Sequence, residues 1–199
     1  MGITEMYSDL KKNVESATAF RLRRKLQPAG GIGDKVFPPT YSEGKYALET
    51  RIIDGERLPC VILDSVQSQA NRMELALLNA HRQGKIHIPV VSVNFSEAGC
   101  SGIGSITTLE TPHRIADAIF RDSITENGTP FPEDEEKNGW KFATHSDATA
   151  LFEFCPTGLL FGIWFNPTGG PGNRGTFGTR FQRAIVSEII GVDIEQGVT

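Results

Sequence analysis

Hydrogen-bonding side chains crowd one side of a predicted helix that starts near residue 64. They are amides, hydroxyls and one guanidinium, at Gln67, Ser68, Gln69, Asn71 and Arg72. A merely solvated face would carry more Lys and Glu, because these are better helix formers than Ser and Asn. At a helix N-terminus such groups suit a ligand rich in hydrogen-bond acceptors, and phosphate is the obvious candidate. The alternative is an exposed polar face that happens to lack lysine.

Basic residues are concentrated in two segments that are rich in glycine. Residues 18–35 set one acid, Asp34, against five cations: Arg21, Arg23, Arg24, Lys25 and Lys35. Residues 169–186 hold no acid and three cations: Arg174, Arg180 and Arg183. Local patches govern the encounter with a polyanion more than net charge does, although charge scattered by chance explains any single patch equally well. From these segments we expect phosphate contacts by Lys25, Gln27, Lys35, Arg174 and Arg180.

A second cationic pair stands at the start of another predicted helix. Thr111 is a suitable N-cap and Pro112 suits the first helical position, which places His113 and Arg114 in the first turn. The helix dipole disfavours cations there by about 0.3–1 kcal/mol, and a bound anion would reverse that penalty. A salt bridge from Arg114 to Asp117, three residues on, is the alternative explanation.

The helix with the polar face is predicted to follow a hairpin directly. Two strand-like runs, residues 46–53 and 58–63, flank the turn residues Asp54 and Gly55. Asp64 is the expected N-cap, with Gln67 as its capping-box partner. The opposite side of the helix carries an apolar stripe at helical spacing, formed by Val66, Ala70, Met73, Leu77 and Ala80.

The remaining pattern predicts a mixture of strands and helices. Amphipathic spacing indicates helices over residues 5–26, 111–120 and 179–190, the last with a strand as its alternative, and a short helix ending at 154 that Ser146 or Asp147 caps. Apolar runs predict strands over residues 86–95 and 157–165, and the acidic stretch 126–141 is predicted to be an insertion or a flexible loop. The fold class is therefore α+β, with helices on one face of a largely antiparallel sheet.

Composition places the chain among soluble globular proteins. Its 199 residues are 39% hydrophobic and 22% charged, with a net charge of −4. No apolar run reaches the length of a membrane span, and the N-terminus does not resemble a signal peptide. The odd, widely spaced cysteines (Cys60, Cys100 and Cys155) indicate free thiols, with neither a disulfide framework nor a zinc site. We expect a cytoplasmic protein that needs no metal or other cofactor and has no membrane partner.

Two motifs raise enzymatic alternatives. Gly170, Gly172 and Gly175 form a literal GxGxxG, but Pro171 and the extra residues 176–179 separate it from the next predicted helix. Asp34 lies in a basic, glycine-rich loop and is the one acid placed for metal-assisted phosphodiester cleavage. Turn chemistry explains a lone Asp more simply. We therefore expect a non-catalytic protein, with a metal-dependent RNA nuclease and a nucleotide-binding enzyme as the alternatives.

Four long blocks carry a family resemblance: QPAGGIGDKVFPPTY, LDSVQSQANRMELAL, TPHRIADAIFRDS and GTRFQRAIVSEIIGVD. Together they resemble the backbone (Cas-seven-type) subunit of type I-G, formerly I-U, CRISPR surveillance complexes, within the RAMP superfamily. The matching blocks run from about residue 26 to residue 193. The sequence departs from the usual RRM in lacking an aromatic RNP1 motif, as expected if RNA bases are left free to pair.

The resemblance implies one RRM-like (ferredoxin-like) palm domain over residues 1–199, with finger and thumb insertions. The Gly/Pro loop 27–41, the acidic loop 126–141 and the Gly-rich loop 167–179 are the candidate insertions. Family members usually continue further, so part of the palm is expected after Thr199. The implied partners are a CRISPR guide RNA, target DNA paired with that guide, further copies of the chain in a filament, and other subunits of the complex. Each copy would grip the RNA backbone without reading its sequence.

Overall fold

The computed structural model describes residues 3–96, 99–100, 102–165 and 179–195. The chain divides into two compact units, Met1–Phe37 and Pro38–Thr199. In the first unit, helix α1 spans Ile3–Val14, and residues 15–37 form no helix or strand. The predicted helix 5–26 is therefore wrong beyond Val14. Its apolar stripe is thin, and without a buried face a helix of that length has little to stabilise it.

The second unit begins with the predicted hairpin, which is confirmed. Strand β1 (Leu48–Ile53) pairs antiparallel with β2 (Glu56–Asp64), and Ile53 lies opposite Glu56. Asp54 and Gly55 both have positive φ, at 52° and 92°. That backbone belongs to a type I′ turn, whose twist matches the twist of the two strands. Strand β7 (Ile189–Val192) pairs with the other edge of β2, also antiparallel.

Helix α2 (Val66–Arg82) follows β2 directly, as predicted, but its N-cap is Ser65 and not Asp64. Its fully buried positions also differ from the predicted stripe. They are Ala70, Glu74 and Leu78, at i, i+4 and i+8, so a carboxylate occupies the centre of the buried face. An acid can be buried there only with a partner for its charge.

The next elements are shorter than predicted. The strand predicted over 86–95 is limited to β3 (Ser92–Asn94), which pairs with β4 (Ser105–Thr107). The helix predicted from Thr111 is a 3₁₀ turn, Arg114–Ala116, followed by a four-residue helix α3, Ala118–Arg121. Arg114 has φ of 55°, which an α-helix cannot accommodate, and Asp117 caps α3 instead of Thr111.

Two apolar segments adopt a secondary structure other than the predicted one. The predicted strand 157–165 is mostly helix α5 (Pro156–Phe161), with only β5 (Ile163–Trp164) extended. Pro156 starts this helix, Gly162 ends it at φ of 86°, and a short apolar run alone does not separate helix from strand. Residues 179–190 contain no helix. They form β6 (Arg180–Phe181), paired with β5, and the start of β7. Residues 182–188 between them form neither helix nor strand, so the strand alternative holds only at the two ends of the segment.

The main core lies in the second half of the chain and draws on the acidic segment. Its buried side chains are Ile115, Phe120, Phe131, Trp140, Ala143, Leu151, Cys155, Ile163 and Phe165. Residues 126–141 are thus not a flexible loop, because two 3₁₀ turns, Phe131–Glu133 and Gly139–Phe142, place aromatic rings in this core. Helix α4 (Thr149–Phe154) packs beside them. Its N-cap is Ala148 and not the predicted Ser146 or Asp147, although Asp147 Oδ1 accepts a hydrogen bond from the Thr149 N–H at 3.1 Å.

The α+β class is confirmed. In the described part of the chain the strands form three separate ladders, β1-β2-β7, β3-β4 and β5-β6, and every pairing is antiparallel. The predicted single sheet covered by helices on one face is therefore divided among smaller ladders.

We expect Trp140→Ala to lower the free energy of unfolding by about 3–5 kcal/mol, because it removes a large ring from a packed core. Trp140 is 1% exposed and its ring lies 4.9 Å from that of Phe165, centroid to centroid. The neighbouring Phe142→Ala is the control: this ring is 58% exposed, and its loss should cost less than about 1 kcal/mol. Urea unfolding measures both. Equal urea midpoints for Trp140→Ala and Phe142→Ala would contradict a core that includes side chains of the acidic segment.

Candidate nucleic-acid interface

The polar face of α2 is built around the carboxylate of Asp64, at the end of β2. One oxygen of Asp64 accepts hydrogen bonds from Gln69 Nε2 at 2.6 Å and from Arg72 Nε at 2.7 Å. Burial raises the pKa of Asp64, but hydrogen bonds from Ser68, Gln69 and Arg72 and the charge of Arg72 outweigh it, so the net pKa is lowered. Asp64 therefore remains ionised and orients two of the predicted ligand-binding side chains.

The five predicted residues on this face fall into two groups. Ser68 and Gln69 are partly buried and stabilise the fold. The Ser68 side chain hydrogen-bonds Asp64, and its backbone N–H donates to Ser65 Oγ at 3.2 Å. Gln69 Oε1 accepts a hydrogen bond from the Ser187 hydroxyl at 2.9 Å. The other group, Gln67, Asn71 and Arg72, is exposed.

The exposed group keeps hydrogen-bonding capacity for a ligand. Within the described residues, the side chains of Gln67 and Asn71 form no hydrogen bond. The side chain of Arg72 remains 70% exposed although Asp64 holds its Nε, so the rest of its guanidinium faces solvent. This face can thus offer oriented N–H donors to an anion.

A shallow pocket of about 210 Å³ lies beside this face. Its lining comprises Asn71, Glu74, Leu75, Leu109, Glu110, Thr111 and Pro112. The pocket brings Asn71 next to the turn that carries His113, whose side chain is exposed. The structure thus places two predicted contacts, Asn71 and His113, on neighbouring elements.

Arg114, which follows His113, is buried. Its Nε and Nη2 donate to the two carboxylate oxygens of Glu74 at 2.7 and 3.0 Å, and its Nη1 donates to the Gly162 carbonyl at 2.9 Å. The Thr111 hydroxyl donates to the Arg114 carbonyl at 3.0 Å and stabilises the turn at its positive φ. Burial raises the pKa of Glu74, against the opposing effects of the Arg114 charge and of hydrogen bonds from Arg114 and Thr157.

This geometry corrects the prediction for Arg114. The residue is 8% exposed and its guanidinium is occupied by the protein, so it stabilises the fold in place of the predicted RNA contact. The alternative pairing with Asp117 is not formed either, because Asp117 Oδ1 accepts from the Ile119 N–H as the cap of α3.

The first unit presents its predicted residues on an exposed, irregular segment. Lys25, Gln27 and Lys35 are all exposed, and Lys35 Nζ lies 5.0 Å from the centroid of the Phe37 ring. Asp34 bonds within its own loop, where its Oδ1 accepts from the Lys35 N–H at 3.0 Å. Among the residues that the structure describes, no group of three or more His, Cys, Asp or Glu side chains is placed to hold a metal ion.

The second glycine-rich segment is described only in part. Arg174 and the glycines 170–175 lie outside the described residues. Arg180 is exposed in β6, opposite Trp164 in β5, and its guanidinium carbon lies 5.7 Å from the centroid of that indole.

The comparisons with known proteins identify the family. A family model described as CRISPR-associated protein GSU0053 (Cas_GSU0053) matches residues 20–196. The chain belongs to this CRISPR-associated family. No curated protein and no solved structure matches it. In this family member, no helix of the described residues has the length and apolar character needed to cross a membrane.

Sequence reasoning misses two structural features of this CRISPR-associated chain. Glu74 was not identified as a buried partner, although it stands four residues from both Ala70 and Leu78 on one helix face. That spacing was the available signal. Trp164 was assigned to the buried strand 157–165, and only the alternation of buried Ile163 and Phe165 around it reveals that its ring points outward.

We expect Arg114→Met to lower the free energy of unfolding by about 3–5 kcal/mol, because it leaves the Glu74 carboxylate buried without its cation. The double variant Glu74→Leu/Arg114→Met should recover part of this loss, since no charge is then stranded. Chemical denaturation measures each variant.

Arg82→Met is the matched control. Arg82 lies on α2, the helix that carries Glu74, and pairs with Glu110 at 2.9 Å, but its side chain is 53% exposed. Its cost should stay within about 1 kcal/mol. If Arg114→Met has the same free energy of unfolding as Arg82→Met, the buried pair does not stabilise the fold.

Proposed function

We propose that this chain is the guide-RNA-binding backbone subunit of a type I-G CRISPR surveillance complex. Copies assemble along the spacer part of the guide RNA in the cytoplasm and present it for pairing with target DNA. The subunit is not catalytic. Its role is to hold the RNA backbone while base pairing supplies the sequence specificity.

The observation that carries the proposal is an exposed basic segment inside the region that the family model matches. Residues 20–35 hold Arg21, Arg23, Arg24, Lys25 and Lys35 with a single acid, and they form no helix or strand. A fold gains little from keeping such a segment exposed and cationic, whereas a polyanion neutralises it and releases counterions.

The chemistry of the α2 face supports binding through phosphate and ribose groups. Arg72 offers a charge-assisted donor oriented by Asp64, and Gln67 and Asn71 offer amides that suit phosphate oxygens and 2′-hydroxyls. These groups contact any RNA sequence equally well.

The strand order supports an RRM-like palm. In a ferredoxin-like β-α-β-β-α-β arrangement the first strand leads directly into the first helix, and a later strand pairs with it antiparallel. Here β2 leads into α2, and β7 pairs antiparallel with β2. On this basis β2, α2 and β7 are the palm, and the β1 hairpin arm is an addition to it.

The net charge of −4 is compatible with this role because the charges are segregated. Glu126, Glu133, Glu135 and Glu136 are exposed and lie together in the sequence, in a stretch apart from the basic segments. Local potential at the basic segments, and not the total charge, governs contact with RNA.

Purified protein should bind long single-stranded RNA with an affinity that falls steeply with salt and is equal for RNAs of scrambled sequence. Each phosphate contact on a single strand contributes about 0.7 to the slope of log affinity against log salt. The double variant Lys25→Ala/Lys35→Ala should therefore reduce the slope by roughly 1.4 and weaken binding. Fluorescence anisotropy at several salt concentrations measures both quantities.

The control is Lys11→Ala/Lys12→Ala, which removes the same charge from the exposed end of α1. It should leave the slope unchanged. Two outcomes would contradict the proposal: no RNA binding by the wild-type protein at low salt, or a strong preference for one RNA sequence.

A further inference from the structure

Trp164 is held with its indole outside the core by strand alternation. Its neighbours Ile163 and Phe165 are 6% and 8% exposed, while Trp164 itself is 74% exposed. The other tryptophan, Trp140, is 1% exposed, so this chain readily buries an indole where packing allows it. Single exposed apolar side chains are common on protein surfaces, so exposure alone assigns no role to Trp164.

The surroundings of Trp164 are cationic. Arg180 lies across the β5-β6 ladder with its guanidinium carbon 5.7 Å from the indole centroid, and within the described ranges it forms no salt bridge. Arg183, three residues on, is also exposed. The sequence has no acid between residue 165 and residue 187. An exposed indole beside an exposed arginine fits a ligand that has both flat rings and negative charges.

The ladder that carries Trp164 is held in place on both strands. The Gly162 carbonyl accepts from Arg114, and a Cβ at Gly162 would lie only 3.1 Å from the Phe181 carbonyl oxygen. On the second strand, the Phe165 N–H donates to the Thr179 carbonyl at 2.8 Å, and the buried Thr179 hydroxyl donates to the Trp140 carbonyl at 2.6 Å. The backbone positions of Trp164 and Arg180 are therefore held opposite each other, so binding needs to order only the two side chains.

We infer that Trp164 and Arg180 form a stacking platform for one unpaired nucleobase of single-stranded RNA. The inference rests on the proposed RNA-binding function and adds a contact to a base, which phosphate binding alone does not require. The indole stacks on the base through their π faces, and Arg180 binds the adjacent phosphate. Stacking of this kind tolerates any base, so it leaves sequence reading to base pairing.

The test compares a labelled RNA of about 12 nucleotides with an abasic chain of the same length, which keeps the phosphates and lacks the bases. Trp164→Ala should weaken binding of the intact RNA by about 5- to 150-fold, the range that stacking one base produces. It should leave binding of the abasic chain unchanged. Trp164→Phe should retain most of the affinity, and binding of intact RNA should quench the tryptophan fluorescence of the wild type but not that of Trp164→Phe.

Phe142→Ala is the matched control. Phe142 is 58% exposed and also lies beside a cation, with Lys141 Nζ 5.5 Å from its ring centroid, but it stands next to the acidic segment. Its loss should change neither affinity.

Three outcomes with the Trp164→Ala variant would overturn the inference. One is that Trp164→Ala binds intact RNA as tightly as the wild type does. A second is that its affinity falls by the same factor for intact RNA and for the abasic chain. The third is a self-association of RNA-free protein that Trp164→Ala abolishes, which would make the indole a protein contact. A wild-type protein that binds intact RNA and the abasic chain equally well refutes the stacking platform alone. One that binds neither refutes the proposed function as well.

Discussion

The buried ion pair between Glu74 and Arg114 is the interaction on which the arrangement of the second unit depends. It joins three parts of the chain that are far apart in sequence: helix α2, the turn after β4, and the Gly162 carbonyl just before β5. Arg114 forms the pair from a backbone with φ of 55°, a conformation that the expected helix after Thr111 would not contain. A pair this well shielded is expensive to break, because removing either partner strands the other charge.

Some cations of the protein are paired with acids and stabilise the fold, whereas others remain accessible to a ligand. Arg114 is enclosed, and Arg51 reaches across the sheet to Glu188, with a second contact to Glu49. Lys25, Lys35 and Arg180 stay exposed and form no salt bridge among the described residues; Lys35 and Arg180 each lie beside an aromatic ring. Through Gly162, moreover, the buried pair fixes the strand that holds Trp164 outward. Arg72 belongs to both groups, because Asp64 holds its Nε while the rest of its guanidinium faces solvent. The enclosed Arg114 stabilises the fold and lies next to an element of the proposed interface.

Local signals predicted the parts of the fold that local physics decides. The Asp54-Gly55 turn has two positive φ values, and the twist of such a two-residue turn matches the twist of the flanking strands. The hairpin was therefore predictable from its turn residues. The apolar run 157–165 was not, because a short apolar run fits a helix or a strand and its contacts come from distant parts of the chain. The carbonyl of Leu160 accepts from the N–H groups of Ala184 and Ile185, far along the chain. In the candidate interface, residue chemistry predicted the polar face of α2 but not the role of Asp64 in orienting its side chains. The burial of Arg114 was not predictable either, because its partner Glu74 lies 40 residues away in the sequence.

The central claim is that many copies of this chain bind one RNA side by side through its backbone. Native mass spectrometry of the protein mixed with single-stranded RNAs of increasing length measures the number of copies on each RNA. The account predicts that the number of bound copies rises in regular steps with RNA length, for any RNA sequence. A fixed stoichiometry of one copy at every length would contradict it.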